Sequence, residues 1–289
     1  MELRRREFLK ASAGAAGLVL LGSQGLATTA RAASSQDLAM LIDVSKCVGC
    51  WWCYAACKNY NNQAETAKPE PEDPPALAPD CWTSLFALKK GEDDWGYRKE
   101  ACLHCTDAAC VKVCPTGALS YNDLGFVQYD RSKCSGCGYC AQNCPFGIPQ
   151  LGSNRVTGAG VMDKCTFCID RVSNGQPTAC AEACTTGAIT FGKRSDLLKQ
   201  ADQRVAELAG QNPRTNLYGA SELGGLHVLY VLDDTPEAYG LPVDPQVPAP
   251  ADLRDALKWL GIGAAAVAVA GFGLNYLVAK ARIRRDSEE

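Results

Sequence analysis

The sequence predicts an α+β body followed by a single membrane-spanning helix. Three observations carry that expectation. Sixteen of the seventeen cysteines fall into four groups of four. Short strand-like segments recur just before and just after those groups. Near the end of the chain, the run from Trp259 to Ala279 holds no charged side chain. A chain of 289 residues, 47% hydrophobic, is long enough for two compact domains and a membrane segment.

The first element, residues 1–32, reads as an address. Arg5-Arg6-Glu7-Phe8-Leu9-Lys10 resembles a twin-arginine export signal, with a mild apolar run from Ala11 to Leu21 and small residues for cleavage at Ala30-Arg31-Ala32. Arg4 stands where such signals usually carry Ser or Thr. An ordinary secretory signal or a basic helix start is the alternative. The twin-arginine route carries folded proteins, which suits a cofactor inserted before export. Without these residues the chain has 24 basic and 30 acidic side chains, an acidic balance that argues against a nucleic-acid partner. Only two histidines, His104 and His227, are present. They argue against a multi-histidine metal site, a Ser-His-Asp triad, or a haem held by paired histidines of this chain.

The cysteine groups come next. The first is Cys47-x2-Cys50-x2-Cys53-x3-Cys57, and the second Cys102-x2-Cys105-x4-Cys110-x3-Cys114 with Pro115 after it. The third is Cys134-x2-Cys137-x2-Cys140-x3-Cys144 before Pro145, and the fourth Cys165-x2-Cys168-x11-Cys180-x3-Cys184. The third fits the bacterial iron–sulfur pattern C-x2-C-x2-C-x3-C-P in full, and the first departs only in Lys58 for proline. Three cysteines on a tight loop can wrap one cubane, while the fourth, about a helical turn on, faces another. Such motifs work in pairs, so four of them imply four [4Fe-4S] clusters. A disulfide scaffold and four structural zinc sites are the competing readings. The repeated spacing argues against the first, and three cysteines on one loop argue against the second, since zinc sites usually split into two C-x2-C knuckles.

The flanking segments repeat as well. Leu41-Ile42-Asp43-Val44-Ser45-Lys46-Cys47 echoes Val127-Gln128-Tyr129-Asp130-Arg131-Ser132-Lys133-Cys134, and Val161 to Cys165 is a shorter copy. Downstream, Cys114-Pro115-Thr116-Gly117-Ala118-Leu119 matches Cys184-Thr185-Thr186-Gly187-Ala188-Ile189. Each reads as a strand entering a cluster loop or a turn leaving one, with a hairpin turn at Asn122 to Gly125. The unit is that of a two-cluster ferredoxin, used repeatedly. Between the first two groups, Pro69, Pro71, Pro74, Pro75 and Pro79 mark an irregular insertion, either a partner surface or a solvent loop. Ser195 to Leu208 has the spacing of an amphipathic helix covering the core, and Val228 to Leu232 that of an apolar strand. Pro236 to Pro250 reads as an extended connector to the membrane.

The charge-free run of 21 residues would span about 31 Å as a helix, close to a hydrocarbon core of roughly 30 Å. Trp259 and Tyr276 lie near its ends. Lys280, Arg282, Arg284 and Arg285 follow, which by the positive-inside rule puts the C-terminus in the cytoplasm and the body outside. Gly261, Gly263, Ala264, Ala265, Ala266, Gly271 and Gly273 would admit a neighbouring helix closely, or simply fill an anchor.

On these motifs the chain resembles the iron–sulfur beta subunit of membrane-bound, quinone-linked formate dehydrogenases. The resemblance covers roughly residues 38 to 280. It is most specific at Lys164-Cys165-Thr166-Phe167-Cys168-Ile169-Asp170-Arg171-Val172 with Gly175-Gln176, at Leu229-Tyr230-Val231-Leu232, and at Tyr239-Gly240-Leu241-Pro242 with Asp244-Pro245. Thr185 stands where the family often has proline. The resemblance implies that the first motif pairs with the fourth and the second with the third, giving two interleaved bicluster ferredoxin-like domains plus one C-terminal transmembrane helix. It implies four ligand sets: Cys47, Cys50, Cys53 and Cys184; Cys57, Cys165, Cys168 and Cys180; Cys102, Cys105, Cys110 and Cys144; and Cys114, Cys134, Cys137 and Cys140. The expected organisation is a signal (1–32), the first motif with the proline-rich insertion (33–101), a central domain with motifs two and three (102–160), the fourth motif with its covering helix and strand (161–235), a connector (236–256), the transmembrane helix (257–280) and a tail (281–289).

The implied function is a non-catalytic electron-transfer subunit. It would carry electrons from a periplasmic molybdenum or tungsten formate dehydrogenase subunit to a membrane cytochrome b and quinone. The ferredoxin-like subunit of membrane [NiFe] hydrogenases, which combines a twin-arginine signal with a C-terminal helix, is the alternative, as is another molybdoenzyme complex. No G-x-G-x-x-G supports a nicotinamide or flavin site. Gly187-x4-Gly192-Lys193 mimics a phosphate loop, but Arg194 replaces the magnesium-binding hydroxyl and Ala188 to Phe191 reads as strand. Among single residues, Cys81 is expected to be a buried structural thiol, and His227 structural. Trp51 and Trp52 either shield a cluster or pack in the core. His104, between two ligands, either donates to a sulfur, carries a titrating charge, or is structural.

Overall fold

The computed structural model describes residues 34, 36–64, 69–92, 94–152 and 160–286. The twin-arginine motif, the apolar run after it and the cleavage site lie outside the described residues. The body falls within Ala30–Asp252, a unit distinct from Leu253–Glu289. In chain order the elements are β1 (Leu38–Asp43), α1 (Trp52–Tyr60), β2 (Ser84–Lys89), β3 (Trp95–Glu100), α2 (Ala109–Lys112), β4 (Leu119–Tyr121), β5 (Val127–Tyr129), α3 (Tyr139–Asn143), β6 (Gln150–Leu151), β7 (Met162–Asp163), α4 (Ile169–Ser173), α5 (Ala179–Glu182), β8 (Ile189–Lys193), α6 (Arg194–Ala209), β9 (Asn216–Tyr218), β10 (Val228–Leu232) and α7 (Ala249–Asp286).

The main sheet has the order β8-β1-β10-β9. β1 runs parallel to β10, with Ile42 opposite Tyr230, and antiparallel to β8, with Met40 opposite Phe191. Its two faces follow from the period of two in a strand. Ala39, Leu41, Leu229 and Val231 point to one side, where Leu197 and Ala201 of α6 cover them. Met40, Ile42, Val228, Tyr230 and Leu232 point to the other, into a core shared with Trp51, Leu103, Phe126 and Phe167. Both faces are thus dry, which is why β1 and β10 read as unbroken apolar runs. The amphipathic helix expected after the last cysteine group is α6, and it covers the sheet.

The four motifs interleave. β1 enters the first motif and pairs with β8, which leaves the fourth. α1 of the first motif packs on α5 of the fourth, and α2 of the second on α3 of the third. β4 and β5 form the expected hairpin, closed by Gly125 N–H donating to Asn122 O at 3.2 Å. The repeat seen in the sequence is also a repeat of local chemistry. Asp43 Oδ1 accepts from Ser45 N–H at 3.0 Å and Asp130 Oδ1 from Ser132 N–H at 3.0 Å, each nucleating a 3-10 turn that delivers the first cysteine of its loop. Asp43 further accepts from Arg204 Nε of α6 at 2.9 Å, with its side chain 6% exposed. Asp43→Ala should therefore destabilise the chain by about 1–2 kcal/mol in denaturant unfolding, the usual value of a capping side chain.

The proline-rich insertion lies at the surface over its described part, but it is tied to the body. Pro75 and Pro79 carbonyls accept from Ser84 Oγ and Trp82 Nε1, and Lys58 Nζ donates to Asp80 O at 3.0 Å. It continues into the β2–β3 hairpin, which periodicity does not announce. The stretch from Pro236, against expectation, is not an extended connector at its start. Tyr239 and Leu241 are buried, Tyr239 Oη donates to Asp233 Oδ1 at 2.7 Å, and Arg98 Nε donates to Tyr239 O at 2.7 Å. Its last residues belong to α7. Within Ala249–Ala281 that helix is long and apolar enough to cross a membrane.

Candidate cluster-binding sites

All seventeen cysteines are free. Four of them, Cys57, Cys165, Cys168 and Cys180, wall a cavity completed by Met40, Asn61, Trp82, Thr83 and Phe167. Cys114, Cys134, Cys137 and Cys140 wall a second, with Leu119, Tyr129 and Met162. The same donor set fits the same occupant. The other eight cysteines lie near one another and near the cavity cysteines, as their electrostatics shows. Burial pushes the Cys47 thiol up, and Cys50 and Cys184 beside it add to that. The Cys53 thiol is raised by burial and then by Cys180, Cys47 and Cys50. Burial raises Cys105, reinforced by Cys102, Cys144 and Cys110. In the two cavities, burial pushes Cys168 up to about 11, with Cys180 and Cys57 contributing. It pushes Cys140 up to about 11 as well, with Cys137, Cys134 and Cys114 contributing.

The buried thiols raised in this way cannot ionise together without a cation to hold them, whereas, against burial, hydrogen bonds already hold Cys114 and Cys134 below the usual thiol value. Iron inserted among them would supply that charge, and metal binding is accordingly coupled to proton release. The spread of the donors bears on which metal fits. Among the described residues, no three His, Cys, Asp or Glu side chains converge closely enough for a single ion. The sulfurs instead open around a space, as a cluster carrying its own iron and sulfide requires.

The loops reach this shape through one backbone device. The residue before the second cysteine of every motif is left-handed: Gly49 (φ +63°), His104 (φ +49°), Gly136 (φ +69°) and Phe167 (φ +59°). At Gly136 a Cβ would clash with Gly160 O. Gly136→Ala is therefore expected to spoil the Cys134–Cys140 loop and release about four irons per chain, read by iron analysis. In the second and fourth motifs the same position carries a ring instead. Those rings, His104 and Phe167, lie 4.9 Å apart between centroids, so the loops of the second and fourth motifs meet through them.

His104 is fully buried, and its Nδ1–H donates to Val127 O at 3.0 Å. Burial, with Lys164 and His227 nearby, holds its pKa well below the usual imidazole value. The bond to Val127 fixes the ring's orientation, and its edges pack against Phe126 and Phe167. His227 Nδ1–H donates to Leu38 O at 2.8 Å, a structural contact. Cys81 is buried against the core, its Sγ 3.5 Å from Thr83 O, and walls neither cavity. The two tryptophans separate: Trp51 is buried edge-on to Tyr54, whereas Trp52, the first residue of α1, is 59% exposed. Thr83, Trp82 and Met40 were not foreseen as cavity walls, since they lie outside every cysteine motif.

Comparison with known proteins agrees with this geometry. A 4Fe-4S dicluster domain matches residues 46–118, and a second 4Fe-4S dicluster domain matches 93–194. Fold and sites together define an iron–sulfur electron-transfer protein with two dicluster domains. The formate dehydrogenase iron-sulfur subunit of Haemophilus influenzae is 39% identical over 272 residues, 88% of this chain and 84% of its own. The nitrate-inducible formate dehydrogenase iron-sulfur subunit of Escherichia coli is 39% identical over 255 residues, covering 83% and 85%. The Hydrogenase-2 operon protein HybA of Escherichia coli O157:H7 is 32% identical over 281 residues, covering 83% and 84%. The chain belongs to the family of formate dehydrogenase iron–sulfur subunits, non-catalytic members of an oxidoreductase complex.

Proposed function

We propose that this chain is the electron-transfer subunit of a membrane-bound formate dehydrogenase. Four [4Fe-4S] clusters would pass electrons from a periplasmic molybdenum or tungsten catalytic subunit to a membrane cytochrome b and quinone. The observation that carries the reading is that two cavities are each walled by four cysteines, drawn in each case from two different motifs. The proposed ligand sets are Cys47, Cys50, Cys53 and Cys184; Cys57, Cys165, Cys168 and Cys180; Cys102, Cys105, Cys110 and Cys144; and Cys114, Cys134, Cys137 and Cys140. When bound, the clusters supply one-electron transfer. The chain's own residues hold the thiolates, exclude water and set the spacing. In this reading the alternation of motifs makes a row: the Cys47 set, the Cys57 set, the Cys102 set, the Cys114 set. Burial of Cys165 is accompanied by the charge of Cys102 beside it, which supports adjacency of the two inner sets.

The domain boundaries given above (1–32, 33–101, 102–160, 161–235, 257–280 and 281–289) are proposed with it, except that the residues from Pro236 begin folded on the body and α7 starts at Ala249. So is the topology, with an export signal at the N-terminus, the body in the periplasm and the C-terminal residues in the cytoplasm. Alkaline phosphatase fused after Arg285 should be inactive, and activity there would overturn the orientation. The complex itself is tested by its metals. Membranes solubilised gently and purified through a tag on this chain should yield molybdenum or tungsten together with formate-dependent quinone reduction. Nickel in their place would move the chain to a hydrogenase, the alternative to which the HybA likeness points.

A further inference from the structure

Two ammonium groups are buried beside the inner cysteine sets without a carboxylate. Lys99 on β3 is 3% exposed and Lys164, next to Cys165, is 2% exposed. Lys99 Nζ donates to Thr83 Oγ1 at 3.4 Å, and Thr83 walls the cavity of Cys57, Cys165, Cys168 and Cys180. Lys164 Nζ donates to Cys165 O at 3.0 Å and to Val127 O at 3.3 Å, the carbonyl that also accepts from His104 in the second motif. Among the described residues neither lysine forms an ion pair. Lys58, also buried, has its Nζ held by the Ala64 and Asp80 carbonyls with the face of Tyr54 5.4 Å away.

A buried cation with no counter-charge costs several kcal/mol. Here each lysine stands where anionic clusters would lie if the ligand sets proposed above hold, and the inference rests on that reading. We infer that Lys99 and Lys164 are the fixed counter-charges of the two inner clusters: Lys99 beside the Cys57 set, Lys164 between that set and the Cys102 set. The neighbouring groups agree. Cys180, Cys165, Cys53 and Cys57 act on Lys99 electrostatically, and Lys164 offsets part of the burial that raises Cys110. A cluster held by four thiolates becomes more negative on reduction. A nearby cation in a low-dielectric interior therefore favours the reduced form and raises the potential. Without it the inner clusters would sit at a lower potential.

The test is a potentiometric titration of the full complex, followed by electron paramagnetic resonance, with iron counted in the same samples. Lys99→Met should shift one inner cluster so that its reduced-to-oxidised ratio at fixed potential falls at least about tenfold, which is 59 mV for one electron. Iron should stay at the wild-type count, and Lys99→Arg should restore the midpoint. Lys164→Met should lower an inner midpoint in the same direction. Unchanged midpoints at full iron would overturn the inference and leave the cluster reading intact. A wild-type complex without iron would instead overturn the cluster reading. Should Lys99→Met fail to load iron, Lys99→Arg and Lys99→Gln decide. Loading of the arginine variant alone supports the charge role, loading of neither overturns it, and if both load the glutamine midpoint is read as above.

Discussion

Cys137→Ala is expected to release one cluster, about four of some sixteen irons, and to stop quinone reduction while the catalytic partner still reduces a soluble dye. Cys137 is the middle cysteine of its loop and the exposed one of its set. It walls the cavity with Cys114, Cys134 and Cys140, so its loss removes a donor without emptying a core position. The fold should survive, because the surrounding packing is carried by Ala108, Ala118, Leu119, Val127 and Met162. Dye reduction and quinone reduction therefore separate in this variant. Paired assays on the same membranes check it, and quinone reduction at the wild-type rate would contradict a serial wire.

Phe126→Ala should produce the largest loss of stability, about 3–5 kcal/mol. The ring is wholly buried, 5.7 Å from His104 and 4.8 Å from Phe167 between centroids. Those two residues occupy the left-handed positions of the second and fourth motifs, conformations that cost about 1–3 kcal/mol each for a side-chain-bearing residue. Packing against Phe126 holds them there. The substitution thus removes the transfer and packing energy of a phenyl ring and loosens both loops together. Denaturant unfolding followed by cluster absorbance reads the effect, with Phe126→Leu expected to lose less. A change below about 1 kcal/mol would show that the junction does not depend on this ring.

The parts of the molecule legible in the sequence are those where chemistry fixes spacing. Cluster loops need three thiols on a tight turn, so the motifs stand out, and the strands beside them repeat because each loop is delivered by the same Asp-capped turn. The parallel pairing of β1 with β10 left no local trace, since nearly two hundred residues separate the partners and both strands are simply apolar. The β2–β3 hairpin was hidden for the opposite reason. Trp95–Glu100 reads as a polar segment, yet Arg98 and Lys99 are buried because Tyr239 O accepts from one and Thr83 from the other. The proline content around Pro236 suggested an extended linker, while the Asp233–Tyr239 contact folds it onto the body. The side chains that complete the Cys57 cavity, Thr83 among them, come from outside any motif, and no spacing rule points to them.

The most direct test of the whole account is the iron and acid-labile sulfide content of the full-length chain, purified in its complex without exposure to air. Four clusters predict about sixteen of each per chain, with reduction producing the resonance signals of several interacting centres. Zinc in place of iron, or iron sufficient for only one or two clusters with the remaining thiols free to react, would contradict it.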